Sequence, residues 1–573
     1  MRSRILRGTM AAGLALGALS LPARAQDTPD PAVMARIRDE GFNRSKVMEI
    51  SSLIEDVYGP RLTGSPNVKK AGDWVIQAMR TWGISNPHYE HWGPFGHGWV
   101  NEGFTAQVVA PQFYPIIAYA TPWSFGTNGT ATGDVVLNVK IDSAPDFAKY
   151  RGKLRGKWIM ADEPRAVPPH FAGDACRFDD AQLQAAVTAE RQTKCNTPAD
   201  SQLARFAAAG AAGGRGGRGA RGAPPAGAPP AGAPPAAGRG GRGGAGGAGG
   251  RGGAGGFQQQ LTDFYVAEGV LGILHSGQGT YSDGALGVQG GRGPSEIPTS
   301  GIANIDIMAD HYGRIYRTAE KGIPVRVEIN AHNTFTPDTG SFNIVGEIPG
   351  SDARLKDELV MVGAHFDSWA GGTGATDNGA GSAVMLEALR ILKTLNLPLK
   401  RTVRIGLWTG EEQGLLGSRA YVRQHFGYVD SLGQHFTPEW SKLAGYFNVD
   451  NGSGAIRGVY AERNEAIVPI FQAWLEPFRD LGAHTVTLAT TGGTDHQSFD
   501  GIGLPGFQFI QDELDYSTHT HHTNMDLYER LVPHDLMQDA VIVAAFVYNT
   551  ANRADKLPRK PAPTTGGGRR GGF

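Results

Sequence analysis

From residue 343 onward, short continuous apolar runs alternate with longer stretches of helical period. The runs 359–364, 402–408, 443–449 and 505–510 are bulky, bounded by polar or Gly/Pro positions, and too short for helices, so they predict buried strands. Between them, 381–395, 417–425 and 466–481 repeat apolar residues at three- and four-residue intervals and predict helices. This alternation argues for an α/β fold: a mixed, largely parallel sheet sandwiched by helices. Upstream, 45–57 and 68–82 also carry a helical period, on either side of the turn-rich stretch 58–66. They have no strand partners of their own and are expected to pack on the same sheet. From about 103 to 139, and again from 270 to 329, the pattern changes to short β-like runs such as 104–110, 133–139, 270–274 and 325–329. These predict an inserted β-rich, lid-like unit over the carboxyl edge of the sheet.

Composition divides the chain further. Of 573 residues 82 are Gly, and the excess is concentrated in 210–256, which is almost entirely Gly, Ala, Pro and Arg. Without bulky apolar side chains such a segment cannot offset its ordering entropy, and it is expected to be a disordered insertion. Its Arg-Gly-Gly spacing resembles single-strand nucleic-acid binders, but it has no aromatic residue to stack on bases, and the net charge of −1 gives no general attraction to polyanions. No nucleic-acid partner is expected. Arg2, Arg4 and Arg7, the apolar stretch 10–21 and Ala23-Arg24-Ala25 read as an export signal, too short for the roughly 20 residues that span a bilayer. The expected divisions are a leader at 1–25, the two parts of the helix-covered sheet unit at 26–115 and 336–555, the insertion at 116–335 and a disordered tail at 556–573. The expected product is exported, periplasmic or secreted, with no stable membrane anchor. Cys176 and Cys195, the two cysteines, lack CxxC spacing and are a candidate disulfide pair in an oxidising compartment.

The chemistry-bearing residues lie where strands end. His365 and Asp367 follow the run 359–364, and alternation puts them on one side, where the carboxylate can take the imidazole N–H and leave the other nitrogen for a metal. Asp377 stands in a Gly-rich loop before a helix; it is either an N-cap or a carboxylate with two oxygens for two ions. Glu411 and Glu412 are adjacent and point in different directions, so one can bind metal while the other remains a base. Asp450 closes the run 443–449, and His519, His521 and His522 cluster in a late loop. Two imidazoles and three carboxylates suit zinc before manganese or cobalt. Two such ions about 3.5–4 Å apart would activate water against a carbonyl.

The runs Gly363-Ala364-His365-Phe366-Asp367-Ser368, Ala375-Thr376-Asp377-Asn378-Gly379 and Trp408-Thr409-Gly410-Glu411-Glu412-Gln413-Gly414 resemble the M28 family of zinc peptidases, within it most closely the carboxypeptidase Q branch. Asn448-Val449-Asp450 and His522-Thr523-Asn524-Met525-Asp526 complete the family order. The resemblance implies two zinc ions per chain. Asp377 would bridge them, Glu412 and His522 would complete one site, and His365 and Asp450 the other. Glu411 would be the general base, Asp367 the partner of His365, and Asp495 and His496 supporting residues. It also implies a cis peptide after Asp377, a protease-associated character for the insertion, and terminal-bond cleavage of short peptides or dipeptides. A homodimer is compatible with this reading. A one-zinc glutaminyl cyclase and a non-catalytic, receptor-like relative remain the alternatives, and the polarity of cleavage stays open.

Overall fold

A computed structural model describes residues 27–167, 173–195, 254–277, 283–337 and 341–564. The expected leader at 1–25, nearly all of the Gly/Arg/Pro segment and the final residues lie outside the described residues.

Two eight-stranded sheets organise the chain. The first takes its order from Ser85–Gly93 at one edge through Ser341–Ile348, Thr402–Trp408, Leu359–His365, Leu443–Asn448, Gly506–Gln511 and Ile456–Tyr460 to Thr485–Thr487. Its four central strands, beginning at Thr402, Leu359, Leu443 and Gly506, run parallel. Every residue of Leu359–His365, Leu443–Asn448 and Gly506–Gln511 is buried, which is why these read as continuous apolar runs. One face is covered by helices Ala380–Thr394, Pro533–Asn552 and Pro31–Asn43, with Ile391, Val543 and Ile37 in a shared core. Helix Leu416–His425 covers the other, with Tyr421 and Phe426 packed on Trp408 and Tyr446. The helical stretches before residue 85 join the first core through Ile50, Val75 and Met79. Parallel strands emit their loops at one end, so residues after Trp408, His365, Asn448 and Gln511 converge there.

The second sheet is mixed and runs from Tyr114–Pro115 through Gly98–Ala110, Arg326–Thr336, Ala131–Val136, Lys157–Met160, Gly272–Ser276 and Ala303–Ile307 to Ala118–Ala120. It takes in Gly98–Ala110, upstream of residue 116, where the insertion was expected to begin. Long-range pairing of Gly98–Ala110 with Arg326–Thr336 assigns that strand to this sheet. The sheet's core, built on Trp99, Trp158 and Tyr312, also includes Leu62 and Trp369 from loops of the first unit. Cys176 and Cys195 are joined as a disulfide. Residues 556–564 do not start a loose tail: Leu557 is buried and its N–H donates to the Ala444 carbonyl at 3.2 Å, while the Arg559 guanidinium lies over Trp440.

Candidate metal centre

The strand ends and the late histidine loop bring five of the candidate residues together around Asp377. His365 Nε2 is 3.1 Å from Asp377 Oδ1 and 3.5 Å from Asp450 Oδ1. On the other side His522 Nε2 is 3.2 Å from Asp377 Oδ2 and 3.0 Å from Glu412 Oε2. Asp377 thus turns one oxygen to each imidazole, and each imidazole has a further carboxylate of its own. Glu411 stands just aside, its Oε2 4.0 Å from His365 Nε2 and its side chain 10 % exposed.

Local structure explains the placement. Gly410 turns the chain out of strand Thr402–Trp408 at φ +73°, where a Cβ would come within 3.0 Å of Leu416 Cβ, and delivers the Glu411-Glu412 pair. Gly374, at φ +69°, would place a Cβ 2.2 Å from Ser368 Cβ, so no larger residue lets the Asp377 loop lie so close to the end of strand Leu359–His365. The Asp377–Asn378 peptide is cis. Asp526 accepts from the Thr376 N–H at 2.5 Å, the Thr376 hydroxyl at 2.8 Å and the Asp377 N–H at 3.2 Å, and so locks the loop.

One expected contact differs. The Nδ1 nitrogen of His365 meets the backbone carbonyl of Asp367 at 3.0 Å, while the Asp367 carboxylate is 3.8 Å away. That carboxylate instead accepts from the Thr63 hydroxyl at 2.7 Å and the Glu411 N–H at 3.2 Å, holding the turn that presents Glu411. The reason is backbone direction: after the strand ends, the chain folds so that the 367 carbonyl, not the side chain, faces the ring. Asp495 and His496 are buried behind the centre; His496 Nε2 lies 3.4 Å from Glu462. His519 turns away and pairs with Asp283 at 2.7 Å, and His521 stacks on His522 with ring centroids 3.7 Å apart.

Three further groups did not emerge from the sequence. Arg61 is fully buried and donates to the carbonyls of Ile54, Phe366, Thr373 and Gly374, pinning both metal-side loops to the helical layer. A polar chain backs Asp450: Trp408 Nε1 donates to the Tyr446 hydroxyl, Tyr446 to Asn448, Asn448 to Gln508, and Gln508 to the Asp450 carbonyl at 2.6 Å. Gln289, from the second unit, meets His522 Nδ1 with its amide. The available signal was modest: polar residues inside otherwise apolar strands, and one Arg in a turn.

Electrostatically the centre is short of positive charge. Burial raises Glu411 well above the ordinary carboxylate range, against the pull of His365 and with Asp450, Asp495 and Glu412 adding to it. Burial likewise pushes Glu412, Asp495 and Asp526 each up to about 7. Burial opposes charge on His365, but Asp450, Glu411 and Asp377 outweigh it and raise that imidazole well above its usual value. Asp377 Oδ2 and Glu412 Oε1 are buried without an aligned hydrogen bond. An orphaned Asp377 oxygen facing the His522 imidazole, in an anionic cluster with a second orphaned oxygen on Glu412, fits divalent zinc. Beside them opens a cavity of about 550 Å³, with Lys194, Arg419 and Glu513 on its wall.

Parallel-strand ends carrying this donor set, with a spare carboxylate beside a cavity, define a metal-dependent hydrolase. Residues 343–547 match the model for peptidase family M28. Human carboxypeptidase Q is 30 % identical over 520 residues, covering 91 % of this chain and 88 % of the relative. Leupeptin-inactivating enzyme 1 of Streptomyces exfoliatus is 29 % identical over 174 residues, 30 % of this chain and 36 % of that protein. The crystal structure of a peptidase M28 precursor from Shewanella amazonensis SB2B shares the fold, with a TM-score of 0.58 at 22 % identity over 93 % of this chain and 99 % of that one. The chain belongs to peptidase family M28 and is a zinc metallopeptidase of the exopeptidase class.

Proposed function

We propose that this chain is an exported two-zinc exopeptidase acting on short peptides or dipeptides. His365, Asp377 and Asp450 would hold one ion, and Asp377, Glu412 and His522 the other. The observation that carries this reading is Asp377, whose two oxygens lie 3.1 and 3.2 Å from imidazole nitrogens on opposite sides. When bound, the ions supply Lewis acidity, making water nucleophilic at neutral pH and polarising the scissile carbonyl. Glu411, beside these donors but outside the set, would accept the proton of the attacking water and return it to the leaving amine. Asp367 fixes the Glu411 turn through its bond to the Glu411 N–H. Asp495, buried behind Asp450, supports the anionic side of the site.

The cavity suits a small substrate. Lys194 and Arg419 line it together with Glu513, so both charged ends of a dipeptide find complementary groups. Similarity to carboxypeptidase Q over most of the chain supports the same substrate scale. Export is supported by the leader pattern and by the Cys176–Cys195 disulfide, a bond of oxidising compartments. Among the described residues no helix is long and apolar enough to cross a membrane. The test is metal analysis of active protein, with a panel of free and end-blocked peptides assayed with and without chelator. Two zinc ions per chain and chelator-sensitive cleavage of free dipeptides are expected; full activity with fewer than two ions overturns the bridged arrangement.

A further inference from the structure

His522 is the one imidazole of the centre that no strand end presents. It sits in a loop at φ +62°, a left-handed conformation that a residue with a Cβ keeps only where its surroundings enforce it. Those surroundings come from the second unit, whose residues 283–289 run alongside 519–524. His519 pairs with Asp283, and Asn524 binds both ways, its Nδ2 donating to the Gly284 carbonyl at 3.0 Å and its Oδ1 accepting from the Leu286 N–H at 2.6 Å. The Asn524 N–H donates to the Leu286 carbonyl at 3.0 Å, and the Val288 N–H to the His522 carbonyl at 3.1 Å. This short ladder brings the next residue, Gln289, to His522, with the amide nitrogen Nε2 placed against Nδ1.

Resting on the zinc-binding role given to His522, we propose that Gln289 is a positioning residue whose amide oxygen accepts the Nδ1–H of His522 and holds Nε2 toward Asp377 and Glu412. The chemistry requires an acceptor there. An imidazole that offers Nε2 to a cation carries its proton on Nδ1, and that N–H needs a partner to fix tautomer and ring plane. A half-turn of the terminal torsion exchanges the oxygen and nitrogen of an amide in place, so Gln289 supplies one. A neutral acceptor also adds no charge to a site already crowded with carboxylates. A loop of the second unit therefore completes the metal centre.

The experiment compares full-length wild type, Q289L and Q289E by zinc titration against a chromophoric chelator, with melting of the metal-free proteins alongside. In Q289L one of the two ions should bind about 10–100-fold more weakly, the usual effect of losing a group that orients a ligand, while the other is unchanged. Q289E, which keeps an acceptor, should restore most of that affinity. Equal zinc affinity in Q289L and Q289E, or weakening of both ions alike, overturns the proposal even if both variants melt lower than wild type. Wild type that binds no zinc would instead remove the metal reading of His522 on which it rests.

Discussion

In the proposed mechanism the buried carboxylates Glu411 and Asp377 have opposite duties, and position alone separates them. Asp377 lies between two imidazoles with an oxygen for each, whereas Glu411 has no ring closer than 4.0 Å among its ion-pair contacts. Glu411→Gln should therefore leave zinc content unchanged and lower kcat by about 10²–10⁴, the contribution of general acid–base catalysis. Metal analysis and steady-state kinetics on one preparation check both halves; loss of zinc in this variant would make Glu411 a ligand. Arg61 acts differently, through four carbonyls on two loops and the helical layer. Arg61→Met strands these acceptors in the interior, where each unsatisfied polar group costs about 1–3 kcal/mol. Denaturation should show a loss of at least ~3 kcal/mol, with activity falling because both metal-side loops lose their anchor. A variant as stable as wild type would show that water takes over those carbonyls.

Helix Leu416–His425 shows how an element is tied to the sheet edge. Its last residue, His425, bridges Glu90 of strand Ser85–Gly93 at 2.7 Å and Glu439 of the turn Pro438–Lys442 at 3.1 Å. Burial disfavours its charge, but the hydrogen bonds to Glu439 and Glu90 win and raise it to about 9. A group whose pKa is raised on folding contributes fully below its unfolded value of about 6.5 and loses that contribution as pH climbs through the folded value. Between pH 6.5 and 9 wild type should lose about 2 kcal/mol that His425→Gln does not, after allowing for partial solvent screening. Denaturant titrations of both proteins at pH 6 and 9.5 measure the difference, and parallel pH profiles would rule the bridge out as a stabiliser. Strand Ser85–Gly93 itself was not among the predicted elements. It lacks apolar alternation, and antiparallel pairing with Ser341–Ile348 is what makes it a strand. Helix Pro533–Asn552 was also missed, because it is buried on nearly every side and shows no polar face to mark its period.

For the whole molecule, the decisive relation is between the two sheets. Helix Ala254–Glu268 starts inside the segment read as Gly/Arg/Pro insertion, so removal of residues 210–253 spares every described element. That deletion should retain hydrolysis and zinc content, with melting unchanged within a few degrees; loss of zinc would mean the segment takes part in seating the second unit. The parallel core and the positions of most candidate ligands were legible in the sequence, because buried strands and the polar residues that end them are local patterns. His365, Asp377, Glu411, Glu412 and Asp450 all follow directly from apolar runs or Gly-rich turns. The preference for His522 among the late histidines came from the family resemblance, through the following Thr523 and Asp526. Only the tertiary structure decided that the Asp367 carbonyl faces His365, that Arg61 and Gln508 hold the loops and strand ends, and that residues 283–289 of the second unit grip His522. The first turns on how the backbone leaves the strand; the others are mostly contacts between segments tens to hundreds of residues apart, and no local period records which distant chain will supply a hydrogen bond to a buried group.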